Sequence, residues 1–343
     1  MRDGGWARPA VGNCGLRGAK PRGRLVAAPA PSPSPFSFWR RGRGVRGEGL
    51  FPIQEKFGKM KGKTDKPLGK GNHVSMRLLT YNIHYWAGSR RTLNVPHLIK
   101  ILQQTRADII GLNEVLHPLY TPQGPQYPLV ELARALHMHW AFGPSFEQRD
   151  ARFWPGVLGN AVLSRYPIRH MANTPLRSLP TRKPRTLFHV TLDIHGRPFV
   201  VFVTHLDHLL AAARRRQFET IMAHLHRVRE PHVLLGDFNT HTPIASRWWK
   251  GELVIRQLRA LGYEDAYALV GKDGGRSYPA RFPFVRLDYI WVPKQWAHAI
   301  RSACVVECPA ARHASDHLPV CVDWQWDVFS QPEVSRAQHL GTA

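Results

Sequence analysis

Apolar runs of strand length recur from Met76 to Trp324, and nearly all border a polar residue able to do chemistry. Arg77 to Ile83 contains Tyr81-Asn82, and Asp108 to Glu114 ends on Asn113-Glu114. Phe199 to Thr204 runs into His205, and His232 to Leu235 runs into Gly236-Asp237-Phe238-Asn239. Arg286 to Val292 carries Asp288 near its start, and Leu318 to Trp324 follows Ser315-Asp316-His317. A strand end at the rim of a sheet is where side chains converge on a pocket. Helical patterns lie between the runs: Asn94 is placed to cap a helix with Pro96 in its first turn, and Leu98, Ile99, Ile101 and Leu102 form its inner face. Helices are also expected over Leu129 to His137, Leu209 to Arg229 and Ala245 to Leu261, the last closed by Gly262. Several strands follow one another as hairpin pairs, so the alternation predicts a layered α/β sandwich with mixed sheets.

The 343 residues suffice for one large domain with a sizeable core, and 43% hydrophobic against 21% charged residues marks a globular chain. The formal charge of +24 points to acidic partners, such as nucleic acid, a phosphorylated small molecule or an anionic surface. Residues 1–75 hold 16 Lys+Arg and 4 Asp+Glu, so this segment carries half the excess. It is rich in Pro, Gly and Arg, has no periodicity and is expected to be a disordered extension, with Met60 and Met76 as alternative starts. One domain is expected over 76–325, with a tail over 326–343. There is no Cys-x-x-Cys pair, which argues against zinc, and the four cysteines fit the reduced state of a cytoplasmic protein. No apolar stretch reaches the length of a membrane span, and a monomer is expected.

Glu114 closes a buried strand, where an uncompensated carboxylate is costly, so a metal or cationic partner is expected. Asp237 and Asn239 put two oxygen-bearing groups on one face of an extended turn. His205 and His317 are acid–base candidates, and Asp288 is a candidate orienter for an imidazole. Trp86, Phe153, Trp154, Trp248, Trp249 and Tyr278 are aromatics near element ends that could stack on a base or sugar, with rim packing preferred for Trp248 and Trp249. No Walker-type loop, Gly-x-Ser-x-Gly elbow or His-Glu-x-x-His is present.

Taken in order, Thr80-Tyr-Asn82, Leu112-Asn-Glu114, Gly159-Asn-Ala-Val-Leu-Ser164, Val203-Thr-His205, Leu235-Gly-Asp-Phe-Asn239, Arg286-Leu-Asp-Tyr289 and Ser315-Asp-His317 resemble the endonuclease/exonuclease/phosphatase, or DNase I-like, superfamily. The resemblance implies a four-layer α/β/β/α sandwich with two mixed β-sheets, and magnesium- or manganese-dependent hydrolysis of a phosphoester. It implies Glu114 as principal metal ligand with Asn82 and Asp316 beside it. Asp237 would orient or activate the attacking water, and Asn239 would hold the phosphate. His317, oriented by Asp288, would bind phosphate or act as the acid–base group, and His205 would stabilise the transition state or protonate the leaving oxygen. Asn160 and Arg185 are expected on the substrate. His84 stands where apurinic endonucleases usually carry an acid, and His205 and Asp207-His208 replace their Tyr and Pro-Asn, which disfavours apurinic cleavage. Pro184-Arg185 and Ser277-Tyr-Pro279 resemble an uncharacterised prokaryotic-type branch. A phosphodiesterase is the leading expectation, nuclease or sphingomyelinase-like. A phosphomonoesterase of the same fold and a non-catalytic nucleic-acid-binding protein are the alternatives.

Overall fold

A computed structural model describes residues 73–88, 93–150, 153–180, 182–240 and 253–327. The extension before His73, Trp248, Trp249 and the tail beyond Asp327 lie outside the described residues. The first half of the chain forms β1 (His73–Asn82), a 3-10 turn (His84–Trp86), α1 (Val95–Thr105), β2 (Ile109–Thr121), β3 (Gly124–Gln126), α2 (Pro128–Leu136), β4 (His139–Gln148), β5 (Gly156–Ser164) and β6 (Ile168–Pro175). The second half forms β7 (Thr186–Ile194), β8 (Arg197–His205), α3 (Ala211–Leu225), β9 (His232–Asp237), α4 (Leu253–Ala260), β10 (Tyr263–Asp265), α5 (Ala266–Val270), β11 (Asp288–Pro293), α6 (Lys294–Ala297), β12 (Ile300–Val305), α7 (Ala311–Ala314) and β13 (Val320–Asp327).

The strands build two mixed sheets, one ordered β12-β13-β1-β2-β5-β4 with β3 paired to β2, the other β10-β11-β9-β8-β7-β6. Each has one parallel pair at its centre, β1 with β2 and β8 with β9. The remaining pairings are antiparallel. Leu78, Ile109 and Val162 of the first sheet pack with Val201, Leu235 and Ile290 of the second in a core between the sheets. Leu98, Leu102, Leu129 and Leu132 put α1 and α2 on the outer face of the first sheet. Phe218, Ile221, Val254 and Leu258 put α3 and α4 on the outer face of the second. Burying each such side chain stabilises by roughly 1.5–3 kcal/mol, so three apolar layers rather than surface ion pairs hold the sandwich together.

Local chemistry differs from expectation in instructive places. Asn94 stands at the N-cap of α1, but its side chain makes no capping bond; Nδ2 donates to the Ala314 carbonyl 2.6 Å away. That bond ties the start of α1 to α7, just ahead of Ser315-Asp316-His317. The proline-rich segment after Leu116 is not a loop: it continues β2 and turns back as β3. Trp86 is a core residue rather than an open stacking surface: it is fully buried and its Nε1 donates to the Leu116 carbonyl at 2.9 Å. Among the described residues no helix is long and apolar enough to cross a membrane.

Candidate active site

The parallel centres of both sheets end at the same rim of the sandwich. In the second sheet the register places His205 opposite Asp237 and Asp237 opposite Asp288, a row of three titratable side chains across β8, β9 and β11. Gly236 makes the row close. Its φ is +139°, and a Cβ there would lie 1.9 Å from the Thr204 carbonyl oxygen, so any side chain would push β8 and β9 apart.

The first sheet supplies the facing half through an irregularity. Asn82 pairs with Asn113, and the β2–β5 register then slips between Leu112 and Val115. Glu114, inside this bulge, has φ +57°. Regular alternation would send Asn113 and Glu114 to opposite faces; the bulge breaks the alternation. Asn113 reaches the second sheet: its Oδ1 accepts the Asp237 backbone N–H at 2.8 Å, and its Nδ2 donates to the Thr204 carbonyl at 3.0 Å and to Asn160 Oδ1 at 2.9 Å. Glu114 approaches His205, Oε1 to Nε2 at 3.9 Å. Burial, reinforced by the Asp316 charge, pushes the Glu114 carboxyl up to about 7. Two carboxylates are thus close enough to repel.

His317 is held from two sides. Its Nδ1 donates to Asp288 Oδ2 at 2.7 Å, and its Nε2 lies 3.6 Å from Asp237 Oδ2. Burial works against its charge, but Asp288 and Asp237 outweigh it and carry the imidazole up to about 10. Ser277 Oγ donates to the same Asp288 oxygen at 2.6 Å. Ser315 Oγ accepts the His317 N–H and donates to the Asn82 carbonyl, fixing the loop before β13 to the end of β1. Asp237 accepts from Asn82 Nδ2 at 3.0 Å and from the Asn239 N–H at 2.8 Å. Burial raises its carboxyl to about 6 against the pull of His317.

His205 has the opposite electrostatics. Burial and then the Arg185 charge hold it well below the ordinary histidine range. Arg185 Nη1 lies 2.9 Å from His205 Nδ1. A guanidinium only donates, so Nδ1 is the acceptor and the proton sits on Nε2, the atom 3.6 Å from Asp237 Oδ2. His205 is therefore a neutral donor facing the cleft. Arg185 is itself buried, and its Nε has no hydrogen-bond partner.

Of the residues singled out from sequence, Asn82, Glu114, Arg185, His205, Asp237, Asp288, Asp316 and His317 gather at this rim. Asn160 stands behind it, accepting from Asn113 and donating to the Thr186 carbonyl at 3.3 Å. Asn239, with φ +47°, donates its Nδ2 to the Leu206 carbonyl and so ties the β9 end to the turn after β8. Aromatic rings border the cleft. Tyr85 and Phe153 stack at 4.2 Å, His84 Nδ1 lies 3.6 Å from Asp316 Oδ1, and the Tyr278 ring is 4.9 Å from that of His317. Sequence reasoning met Asn113, Ser277 and Ser315 within motifs but gave them no role of their own, and their side chains hold others in place. The Ser315 hydroxyl sits two residues before the His317 N–H it accepts, a spacing that could have flagged it; Ser277 lies eleven residues before Asp288 and carries no such local signal.

A hard divalent cation fits the acidic side of this cleft. Glu114 is a raised, partly buried carboxylate beside Asp316, and the Asn82 oxygen, which accepts the His84 N–H, keeps a second lone pair. Asp237, Asp288 and His317 also bring three ligand-type atoms within 4.8 Å of one another. There, however, the His317–Asp288 pair already shares a proton, and a cation would have to displace it.

Residues 92–317 match the model of the endonuclease/exonuclease/phosphatase family. The uncharacterized protein YbhP of Escherichia coli K12 is 30% identical over 260 residues, covering 73% of this chain and 96% of its own. An endonuclease/exonuclease/phosphatase structure from Beutenbergia cavernae superposes with a TM-score of 0.63 at 26% identity, over 73% of this chain and 71% of that one. A mannosyl-6-phosphatase of Bacteroides thetaiotaomicron gives 0.55 at 18% identity, over 72% and 98%, a likeness of fold. With its two mixed sheets and the rim they share, the chain belongs to the endonuclease/exonuclease/phosphatase family of phosphoester hydrolases.

Proposed function

We propose that the protein is a metal-dependent phosphodiesterase, acting on a nucleic acid or a sphingomyelin-like headgroup, with Mg2+ or Mn2+ held by Glu114, Asn82 and Asp316. The observation that carries this reading is the chain of contacts Asp288–His317–Asp237–Asn82 beside the paired acids Glu114 and Asp316. The cation, when bound, supplies positive charge to the phosphoryl oxygens and the leaving group. Asp237 orients the attacking water and takes its proton; a carboxylate raised to about 6 is a stronger base than an ordinary aspartate. His317, kept charged by Asp288, directs Nε2–H at a phosphoryl oxygen. His205, kept neutral, adds a second donor through its own Nε2–H, and Arg185 brings a fixed charge behind it. These donors are in place before charge develops, which is where electrostatic catalysis gains most. Asn160 and Asn239 contribute by holding Asn113 and the turn at Leu206. Either can still offer phosphate the amide hydrogen those bonds leave over.

The test is hydrolysis of bis-p-nitrophenyl phosphate and p-nitrophenyl phosphate by chelator-stripped protein resupplied with Mg2+ or Mn2+, alongside DNA, RNA and sphingomyelin. Metal-restored diester cleavage is expected, falling by about 10²–10⁴ in Asp237→Asn at nearly unchanged Tm. Preference for the monoester would move the reading to a phosphomonoesterase. Absence of turnover with either metal on every substrate would defeat it.

A further inference from the structure

The three most exposed large hydrophobic side chains among the described residues are Phe282 at 71%, Leu209 at 63% and Phe284 at 62%. All three stand at the catalytic rim. Phe282 and Phe284 lie in the segment between Ser277 and Asp288, and Leu209 lies in the turn between His205 and α3. Because β9 is flanked by β8 and β11, these segments leave the same end of the second sheet on either side of Asp237.

The Phe-bearing segment is anchored. Ser277 N–H donates to the Val285 carbonyl, and Phe284 and Val285 N–H both donate to the Tyr278 carbonyl. Phe282 N–H closes a turn onto the Pro279 carbonyl. The base is fastened to the site itself: Ala280 N–H donates to the Asp316 carbonyl at 2.6 Å, and Leu318 N–H to that of Ser277 at 2.8 Å. Two phenyl rings are thus presented to solvent by a tethered loop whose base includes Tyr278, and the Tyr278 ring packs on His317. Displaying them in water is costly unless something apolar receives them. Charge narrows what that is. From Arg276 to Phe284 the segment holds Arg276 and Arg281, both exposed, and no acid. Arg281 lies over the Phe282 ring at 5.7 Å, and Leu210 adds a further exposed side chain next to Leu209. Aromatic rings beside arginine suit either bases or a lipid interface. Aliphatic Leu209 and Leu210 offer no face for base stacking and favour the lipid.

We propose that Phe282 and Phe284, seconded by Leu209, form an interfacial docking surface that seats the catalytic rim on a phospholipid bilayer, with the arginines at the level of the lipid phosphates. Resting on the phosphodiesterase reading above, this makes the phosphodiester of a membrane lipid headgroup the substrate class. The test compares the full chain with Phe282→Ser/Phe284→Ser for co-sedimentation with phosphatidylcholine vesicles at 0.5 M NaCl, where the attraction of the basic extension for anionic surfaces is screened. Binding by the wild type, weakened at least about tenfold in the double variant, is expected from the loss of two buried phenyl groups. Cleavage of bis-p-nitrophenyl phosphate by the double variant is expected to equal that of the wild type, while cleavage of vesicle-borne phospholipid falls. Equal vesicle binding by both proteins overturns the proposal, as does loss of single-stranded DNA binding in the double variant with vesicle binding intact. Failure of both proteins to cleave any phosphoester would defeat the enzymatic reading and leave the vesicle comparison standing as its own measurement.

Discussion

Replacing Asn113 with alanine is expected to be among the most damaging single changes at the rim. The side chain is fully buried and makes three hydrogen bonds to the second sheet and to Asn160. Removing it strands the Asp237 N–H, the Thr204 carbonyl lone pair and Asn160 Oδ1 away from water. Each orphaned group costs about 1–3 kcal/mol, so the loss is about 4 kcal/mol, against a total stability on the order of 5–15 kcal/mol. With a urea m-value of about 3 kcal/mol/M the unfolding midpoint should fall by about 1.3 M. Intrinsic tryptophan fluorescence and far-UV circular dichroism, followed together, check that the transition stays cooperative. Turnover should collapse as well, because Asp237 loses the bond that seats its backbone. Asn113→Asp keeps the acceptor for Asp237 N–H but loses both donors and buries a charge beside Asp237. It should be at least as destabilised at pH 8 and should recover as pH falls and the new acid is protonated. A midpoint shift below about 0.3 M for Asn113→Ala at unchanged m would refute the claim that this side chain fastens the sheets.

Glu114→Gln should raise the Tm of metal-free protein at pH 8. An acid whose folded pKa is raised to about 7 from 4.5 is a destabilising charge above that range, and the advantage should vanish by about pH 4. Mn2+ is expected to raise the Tm of the wild type, and the same variant should lose that stabilisation. Gly236→Ala should lower the Tm by several degrees and reduce turnover, since its Cβ meets the Thr204 carbonyl at a forbidden φ; a wild-type melting curve would show that β8 and β9 can part without cost. A chain beginning at His73 should keep the full rate on bis-p-nitrophenyl phosphate. Cutting at residue 75 removes three residues of β1 that pair with β13, so it should lower the melting temperature relative to the His73 start.

Much of the site was legible because it lies where apolar runs stop, and a strand that ends on an acid or histidine announces a rim. His205, Asp237, Asp288 and His317 were visible for that reason. The bulge at Asn113-Glu114 was not, since a register slip belongs to two strands at once and leaves no mark in either alone. Nor was the tautomer of His205, which depends on Arg185, a residue of the segment just before β7. Asn113 was given no role of its own because an amide beside a carboxylate reads as its companion, when it is the bolt between sheets. Of the helix expected over Ala245 to Leu261, Leu253–Ala260 is helical and the part before Leu253 lies outside the described residues; Gly262, φ +80°, follows its end as its backbone freedom suggested. Trp86 resembled a loop aromatic because the three consecutive positive φ values that fold it inward, from His84 to Trp86, are invisible in sequence.

The division of the candidate site between the two sheets has a mechanical consequence. Asn82, Glu114 and Asp316 ride on one jaw of the sandwich, and His205, Asp237 and Asp288 on the other, with Asn113 as the spacer that sets the gap. Neither jaw owns a working site. On the proposed reading, turnover should therefore gauge how the jaws are aligned. Hydrostatic pressure, or a ligand wedged between the sheets, that slides one jaw by about 1 Å should cut the rate on the order of a hundredfold while every strand remains intact.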